Sequence, residues 1–183
     1  LDGACRIGEL LDQAVRLEMS SLAVTEHGNL FSAINFHDQA RKRGIKPIIG
    51  CEVYVAPGSR LTKSGTPGET ANHLVLLATN QVGYHNLIKL VSAGYTEGFY
   101  YKPRIDKDLL AQHASGLVGL SSCLKGEVAS HLRFDQHQST LAIFVDQEPK
   151  NQNCFVLEVV VLHQPNAYAD NRCENGLPLV FSV

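Results

Sequence analysis

Three residues of this sequence combine reactive side chains with positions suited to a shared site. His27, Glu52 and Cys123 each stand at or just after the end of a short apolar run of strand type. An imidazole, a carboxylate and a thiolate are ligands that zinc and related divalent metals accept. A bound metal of this kind lowers the pKa of a water and polarises phosphate oxygens. The three positions therefore predict a divalent-metal site, for zinc or manganese, that is suited to phosphoester hydrolysis.

Three further residues are candidates with a different basis. His73 adjoins an apolar run but stands at its start, so the rule that places the others does not place it. Asp2 offers one more carboxylate. Glu26 has two interpretations that the sequence leaves open. It either supports the neighbouring ligand His27 from the second shell or faces the N-terminus of the following helix, where negative charge is favourable.

Each candidate also has an ordinary structural interpretation when it is taken alone. A histidine near a strand end is most often a surface or hydrogen-bonded residue, and a lone cysteine is most often a small buried side chain. The prediction depends on the combination. Parallel strands deliver the residues at their carboxyl ends to one edge, so His27, Glu52 and Cys123 are expected in a single pocket.

The segments that must position these residues alternate between strand type and helix type. Runs of strand type lie at 22–24, 46–55, 73–78, 117–120, 155–162 and 177–183. Helical spacing of apolar residues, or a helical boundary signal, lies at 7–17, 30–43, 84–91, 106–110 and 126–132. Such alternation favours parallel strands in a barrel or an open α/β sheet. The segment 57–72 is a long loop, for which a functional role or mobility is expected.

Composition limits the classes of function. A chain of 183 residues with 44% hydrophobic residues suits one soluble domain. Its net charge of -2 gives no electrostatic footprint for nucleic acid. No apolar run approaches the roughly 20 residues of a membrane span, and five unevenly spaced cysteines do not form a disulfide framework. We therefore expect a cytoplasmic protein without a membrane partner.

One aromatic and basic segment is compatible with several roles. Tyr100, Tyr101, Lys102 and Arg104 have the side chains of a surface that stacks on or pairs with a nucleic acid strand. A surface for a partner protein, or local packing, explains the same residues equally well.

Several longer motifs resemble those of a known family in order and spacing. They are Thr25–Asn29, Gly44–Val55, His73–Ala78 and Glu97–Asp106. In these motifs the chain resembles the PHP (polymerase and histidinol phosphatase) domain of bacterial replicative DNA polymerase III alpha subunits. The resemblance is close over residues 1–132 and faint over 133–183, so the whole chain is interpreted as one PHP domain whose last part is diverged or shortened.

The resemblance implies a fold, a site and a set of partners. The fold is a distorted TIM-like barrel of about seven strand–helix units, here incomplete at both ends. Asp2, His27, Glu52, His73 and Cys123 fall on metal-site positions of the family, which supports His73. In relatives the site carries 3′–5′ exonuclease proofreading, or the domain is a non-catalytic platform for a separate proofreading subunit. The parent protein would be a DNA-directed DNA polymerase acting in replication, so the expected partners are the rest of its alpha subunit, that proofreading subunit and DNA.

The sequence departs from the family pattern at both ends. The family's His-x-His pair would precede Leu1, and Phe181-Ser182-Val183 stands where its Asp-x-His is expected. We therefore expect a fragment with an incomplete metal site, without a polymerase site, and with at most residual phosphoesterase or exonuclease activity. A free-standing metal-dependent phosphoesterase of the same class is the other alternative.

Overall fold

The computed structural model describes residues 5–66, 71–133 and 180–181 and shows a mixed α/β fold. The described helices are α1 (Ile7–Arg16), α2 (Ala33–Lys42), α3 (Gln81–Thr96), α4 (Lys107–Gln112) and α5 (Glu127–Arg133). The described strands are β1 (Ser21–His27), β2 (Lys46–Val55), β3 (Asn72–Ala78), β4 (Arg104–Ile105), β5 (Leu117–Leu120) and β6 (Val180–Phe181). None of the described helices has the length and apolar character that a membrane crossing requires.

The strands form one sheet in the order β5-β3-β2-β1-β6, and β4 pairs with β2 beside this path. β1 is parallel to β2 and to β6, and β4 is parallel to β2. β3 is antiparallel to both of its neighbours, β2 and β5. It follows that β5 runs in the same direction as β2, and that β3 alone is reversed among the described strands.

The expectation of parallel strands is therefore wrong for β3. A parallel neighbour usually requires a crossover helix, whereas an antiparallel neighbour does not. The described part of the connection between β2 and β3 is a loop without a helix, and its sequence is rich in Gly, Pro, Ser and Thr. The chain consequently returns along β2 in the opposite direction.

Helices α1, α2 and α3 pack against apolar side chains on one face of the sheet. Leu11 of α1, Leu22 of β1 and Phe36 of α2 are fully buried in one cluster. A second cluster packs Leu76 of β3 against Leu87 of α3. Because side chains alternate across a strand, the intervening residues of β1, β2 and β3 project to the other face. That second face carries the candidate site.

Most predicted elements lie close to their observed bounds. β2 begins and ends where the apolar pattern places it, whereas α3 is longer than the predicted helix at both ends. The Asn80 side chain caps the start of α3 by accepting from the Gly83 N–H at 3.0 Å. The strand predicted at 155–162 lies outside the described residues. The strand predicted at 177–183 is present at Val180–Phe181, paired with β1.

The start of the long loop is fastened by buried charge. Arg60 donates from Nη1 to both carboxylate oxygens of Asp106 at 3.0 Å, and its guanidinium also reaches Glu97. Arg104 is buried and donates to the carbonyl oxygens of Arg60, Thr62 and Gly98. Local packing therefore accounts for Arg104, which the sequence had left open as a nucleic-acid contact.

Candidate metal site

The ends of β1 and β2 bring His27 and Glu52 together. The parallel register makes these two residues direct partners, so their side chains project to the same face. His27 Nε2 lies 3.5 Å from Glu52 Oε1. The contact that the sequence predicts between these two strand ends is present.

The reversal of β3 explains the position of His73. Because β3 is antiparallel to β2, its first residues lie at the edge where β1 and β2 end. His73 is the register partner of Tyr54, two residues beyond Glu52 on the same face. Its Nδ1 approaches Glu52 Oε1 to 2.6 Å. A residue at a strand start thus reaches an edge formed by strand ends.

Cys123 reaches the same edge from the end of β5. The segment after β5 folds back along β3, where the His73 N–H donates to the Lys125 carbonyl oxygen at 3.0 Å. Cys123 Sγ lies 3.6 Å from His73 Nδ1, and its side chain is exposed. His27, Glu52, His73 and Cys123 are called the edge cluster below. Asp2 lies outside the described residues.

Glu52 is the buried member of the edge cluster, with 6% of its surface exposed. Burial alone would raise the pKa of Glu52, but the imidazoles of His73 and then His27 outweigh it and hold that pKa below its usual value. Although His73 Nδ1 is close, its direction does not make an aligned hydrogen bond, and Oε1 has no aligned donor among the described residues. Glu52 therefore presents a charged, buried oxygen between two imidazoles.

The chemistry of the edge cluster fits a divalent metal. It offers imidazole nitrogen, carboxylate oxygen and thiolate sulfur, and the buried Glu52 oxygen lacks an aligned donor. The contacts form a chain of neighbours, from His27 through Glu52 and His73 to Cys123. As the side chains stand, no group of three or more His, Cys, Asp or Glu residues in the described ranges surrounds a single metal position.

Two neighbours of the edge cluster have structural contacts of their own. Glu26 Oε2 accepts from the backbone N–H of Ser32 at 2.8 Å, at the start of α2. Glu26 therefore faces the N-terminus of α2, as one of its two interpretations predicted. A second-shell role for Glu26 beside His27 stays a prediction. Cys51 is buried, donates to the Glu26 carbonyl oxygen at 3.3 Å, and has its pKa raised by burial to about 12. Cys51 is therefore a neutral, buried thiol, whereas Cys123 is exposed.

Two residues beside the edge cluster were missed as site residues in the sequence. The Tyr54 ring packs edge-on against the His73 ring, with 5.1 Å between centroids. Lys102 Nζ lies 4.9 Å from the centroid of the Tyr54 ring. The two-residue period of β2 places Tyr54 on the face of Glu52 and was a usable signal. The approach of Lys102 depends on folding of distant segments and left no local signal.

Comparison with known proteins finds the same family that the sequence motifs resemble. A family model described as the PHP domain matches residues 1–158. DNA polymerase III subunit alpha of Chlamydia trachomatis is 52% identical over 130 residues, covering 70% of this chain and 10% of that protein. The same subunit of Borreliella burgdorferi is 51% identical over 127 residues, covering 69% and 11%. The chain thus spans about a tenth of the length of the curated relatives it matches.

Among solved structures, an amidohydrolase from Chromobacterium violaceum is 25% identical with a TM-score of 0.36, over 50% of this chain and 28% of that chain. The matches to the polymerase subunits, at 51–52% identity, decide the family. They confirm the resemblance identified from the motifs, because the chain is homologous to the N-terminal region of DNA polymerase III alpha subunits. With the family model matching residues 1–158, the chain belongs to the PHP domain family.

Proposed function

We propose that this chain serves as the PHP domain of a bacterial DNA polymerase III alpha subunit and that its edge cluster binds a divalent metal for phosphoester chemistry. The observation that carries the proposal is the convergence of four potential ligands, from three strands and the segment after a fourth, on one edge of the sheet. The extent of identity to the polymerase subunits supports the choice of parent protein.

The proposed ligands are Asp2, His27, Glu52, His73 and Cys123, with zinc or manganese as the metal. When bound, such a metal lowers the pKa of a water and polarises a phosphate oxygen. Contacts within the chain would favour metal binding by two of these ligands. Glu52 is held as a carboxylate by the imidazoles beside it, and the Tyr54 ring limits the orientation of His73. The nitrogen of His73 that faces Glu52 must be free of its proton to act as a ligand.

We also infer that the mixed sheet is part of a distorted TIM-like barrel of about seven strands. The parallel pairs of β1 with β2 and with β6, and the meeting of strand ends at one edge, support this arrangement. The rest of the alpha subunit, a proofreading exonuclease subunit and DNA are the partners that the proposal implies, in the bacterial cytoplasm. Residual 3′–5′ exonuclease or phosphoesterase activity is the chemistry that the proposal assigns to this segment.

Metal titration of the 183-residue chain tests the site. We expect His73→Ala to weaken zinc or manganese binding, measured by calorimetry, by at least about 10-fold, as even the loss of an outer-shell partner typically does. His85→Ala is the matched control, because His85 is exposed near the start of α3, at the edge of the sheet opposite to the edge cluster. Equal binding by both variants would refute the proposed ligands.

The same titration tests the expectation of an incomplete site. Two or three tightly held ions per chain would contradict it. Cobalt substitution adds a readout that is specific for Cys123, because a thiolate ligand gives a charge-transfer absorption band that an oxygen or nitrogen ligand does not. Hydrolysis of bis(p-nitrophenyl) phosphate with added manganese, abolished in His27→Ala, would extend the proposal from binding to catalysis.

A further inference from the structure

We propose that the turn formed by residues 100–102 binds the end of a single DNA strand and holds it beside the edge cluster. This proposal rests on the proposed function, for which it names the form of the substrate and two residues that recognise it. The turn, called the Tyr101 turn below, presents an exposed aromatic ring on Tyr101 and an ammonium group on Lys102.

The Tyr101 turn is tight and its tip is conformationally unusual. Tyr100 and Lys102 are bridged across it, with the Tyr100 N–H donating to the Lys102 carbonyl oxygen at 3.1 Å. Tyr101 has a φ of 57°, in the left-handed region that non-glycine residues seldom adopt. Such conformations cost free energy and concentrate at binding and active sites. Here the conformation directs a tyrosine into solvent, where 54% of its surface is exposed.

The two tyrosines of the turn have different surroundings. The Tyr100 hydroxyl donates to the Gly65 carbonyl oxygen at 3.1 Å, and the Arg104 guanidinium lies 5.2 Å from the Tyr100 ring centroid. Tyr100 is thus tied to the long loop and to the buried arginine. The Tyr101 ring lies next to it, 4.5 Å between centroids. Tyr100 anchors the turn, and Tyr101 is the ring that it presents.

The ammonium group of Lys102 is held without a carboxylate. Its Nζ lies over the Tyr54 ring and 3.5 Å from the Tyr54 hydroxyl. In the described ranges no Asp or Glu oxygen lies within ion-pair distance of it. A cation held by a ring and a hydroxyl keeps its charge available to an incoming anion.

The Tyr101 turn lies against the candidate metal site. Tyr54, which holds Lys102, packs edge-on against His73. Pro103 follows the turn and packs so closely on Gly28 that a β-carbon at position 28 would lie 2.8 Å from Pro103 Cγ. Gly28 directly follows the proposed ligand His27. The Lys102 cation therefore lies beside the edge cluster, and the exposed Tyr101 ring precedes it by one residue in the turn.

A single strand is the ligand that fits this combination. Unpaired bases stack on exposed aromatic rings with little dependence on sequence, and phosphates pair with nearby cations. A duplex hides the faces of its bases and presents a long array of phosphates, which the net charge of -2 of this chain does not favour. One ring and one ammonium beside a phosphoester site match a terminal nucleotide and its phosphate.

Fluorescence anisotropy with the 183-residue chain tests this proposal. The probe is a 5′-fluorescein oligo-dT of about ten nucleotides, within the range of known single-strand sites, in buffer containing a metal chelator. We expect micromolar binding that Tyr101→Ala weakens by about 5-fold or more, the loss typical of a stacked ring, and that Tyr101→Phe retains. Alanine keeps a β-carbon, so the backbone strain at this position is matched between the two variants.

Lys102 is tested by the salt dependence of the same binding. Loss of one phosphate contact lowers the slope of log affinity against log salt by about 0.7 for a single strand. We expect this decrease in Lys102→Met and no decrease in Lys89→Met, which removes an exposed lysine from the middle of α3. A purely structural role of Lys102 would leave the slope unchanged.

Absence of oligonucleotide binding by the wild-type chain would overturn the proposal and favour a protein partner for this surface. Wild-type affinity in Tyr101→Ala would also overturn it. Thermal unfolding of each variant shows whether the chain remains folded. Because the chelator removes metal, this result is independent of the metal titration: a failed metal site and a failed strand site give separate outcomes.

Discussion

Removal of the Asp106 carboxylate should destabilise the protein more than removal of the neighbouring exposed acid Asp108. Asp106 is buried, accepts from the backbone N–H groups of Leu109 and Arg60, and binds Arg60 Nη1 through both oxygens. Its first contact caps α4, and its other contacts fasten the loop after β2. Asp106→Ala removes both functions at once.

The magnitude follows from these contacts. A helix cap contributes about 1 kcal/mol, and a hydrogen bond to a charged group about 1.5–3 kcal/mol. Because contacts that share one carboxylate are not additive, we expect a loss of about 2–4 kcal/mol in the free energy of unfolding. For a domain of this size that loss corresponds to a decrease of about 4–16 °C in Tm. Asp106→Asn keeps an acceptor for the cap and should lose less.

Urea denaturation monitored by circular dichroism measures these differences. Asp108→Ala is the matched control, since Asp108 is an exposed acid in the first turn of the same helix. Its interaction with the helix dipole is worth about 0.3–1 kcal/mol. An Asp106→Ala variant no less stable than Asp108→Ala would refute the assignment of Asp106 as the anchor of the loop.

Three further predictions follow from local geometry. Burial alone would raise the pKa of Asp106, but the N–H groups of Arg60 and Leu109 and the Arg60 guanidinium outweigh it and lower that pKa. The carboxylate should therefore stabilise the fold above about pH 4, and this stabilisation should be lost as pH falls through the lowered pKa. Acid titration of the stability of Asp106→Asn should lack this loss. Gly28→Ala should destabilise more than Gly44→Ala in urea, because both have positive φ but only position 28 is crowded; equal losses would contradict this. Iodoacetamide at pH 8 should modify exposed Cys123 and spare buried Cys51, with zinc protecting Cys123, as read by peptide mass spectrometry.

The sequence predicts much of the sheet and part of the site. β2 is found with the bounds of its apolar run, and His27 and Glu52 meet because adjacent parallel strands end at one edge. The direction of β3 was not predictable from its own residues, since an apolar run reads the same in both directions. The direction depends on the connection before it, and the position of His73 depends on that direction.

Contacts between distant segments account for what the sequence did not reveal. Lys102 approaches Tyr54 only after β4 has paired beside β2, which brings residues 104–105 next to residues 54–55. From the sequence, Arg104 and Lys102 are equally good candidates for contact with nucleic acid. In the structure Arg104 is buried and donates to backbone carbonyl oxygens. Composition identifies the segment, and only packing separates the two cations.

The reversal of β3 links the site to the rest of this region. Reversing the chain after β2 places a ligand from a strand start among ligands from strand ends, and the long loop that begins at position 56 makes this reversal. That loop is held by Asp106 through Arg60 and by the Tyr100 hydroxyl through Gly65. Tyr100 in turn positions the Tyr101 turn beside His27 and His73. The loop anchor, the turn and the edge cluster thus form one connected unit, so a change at Asp106 should reach the site through the loop without touching a proposed ligand.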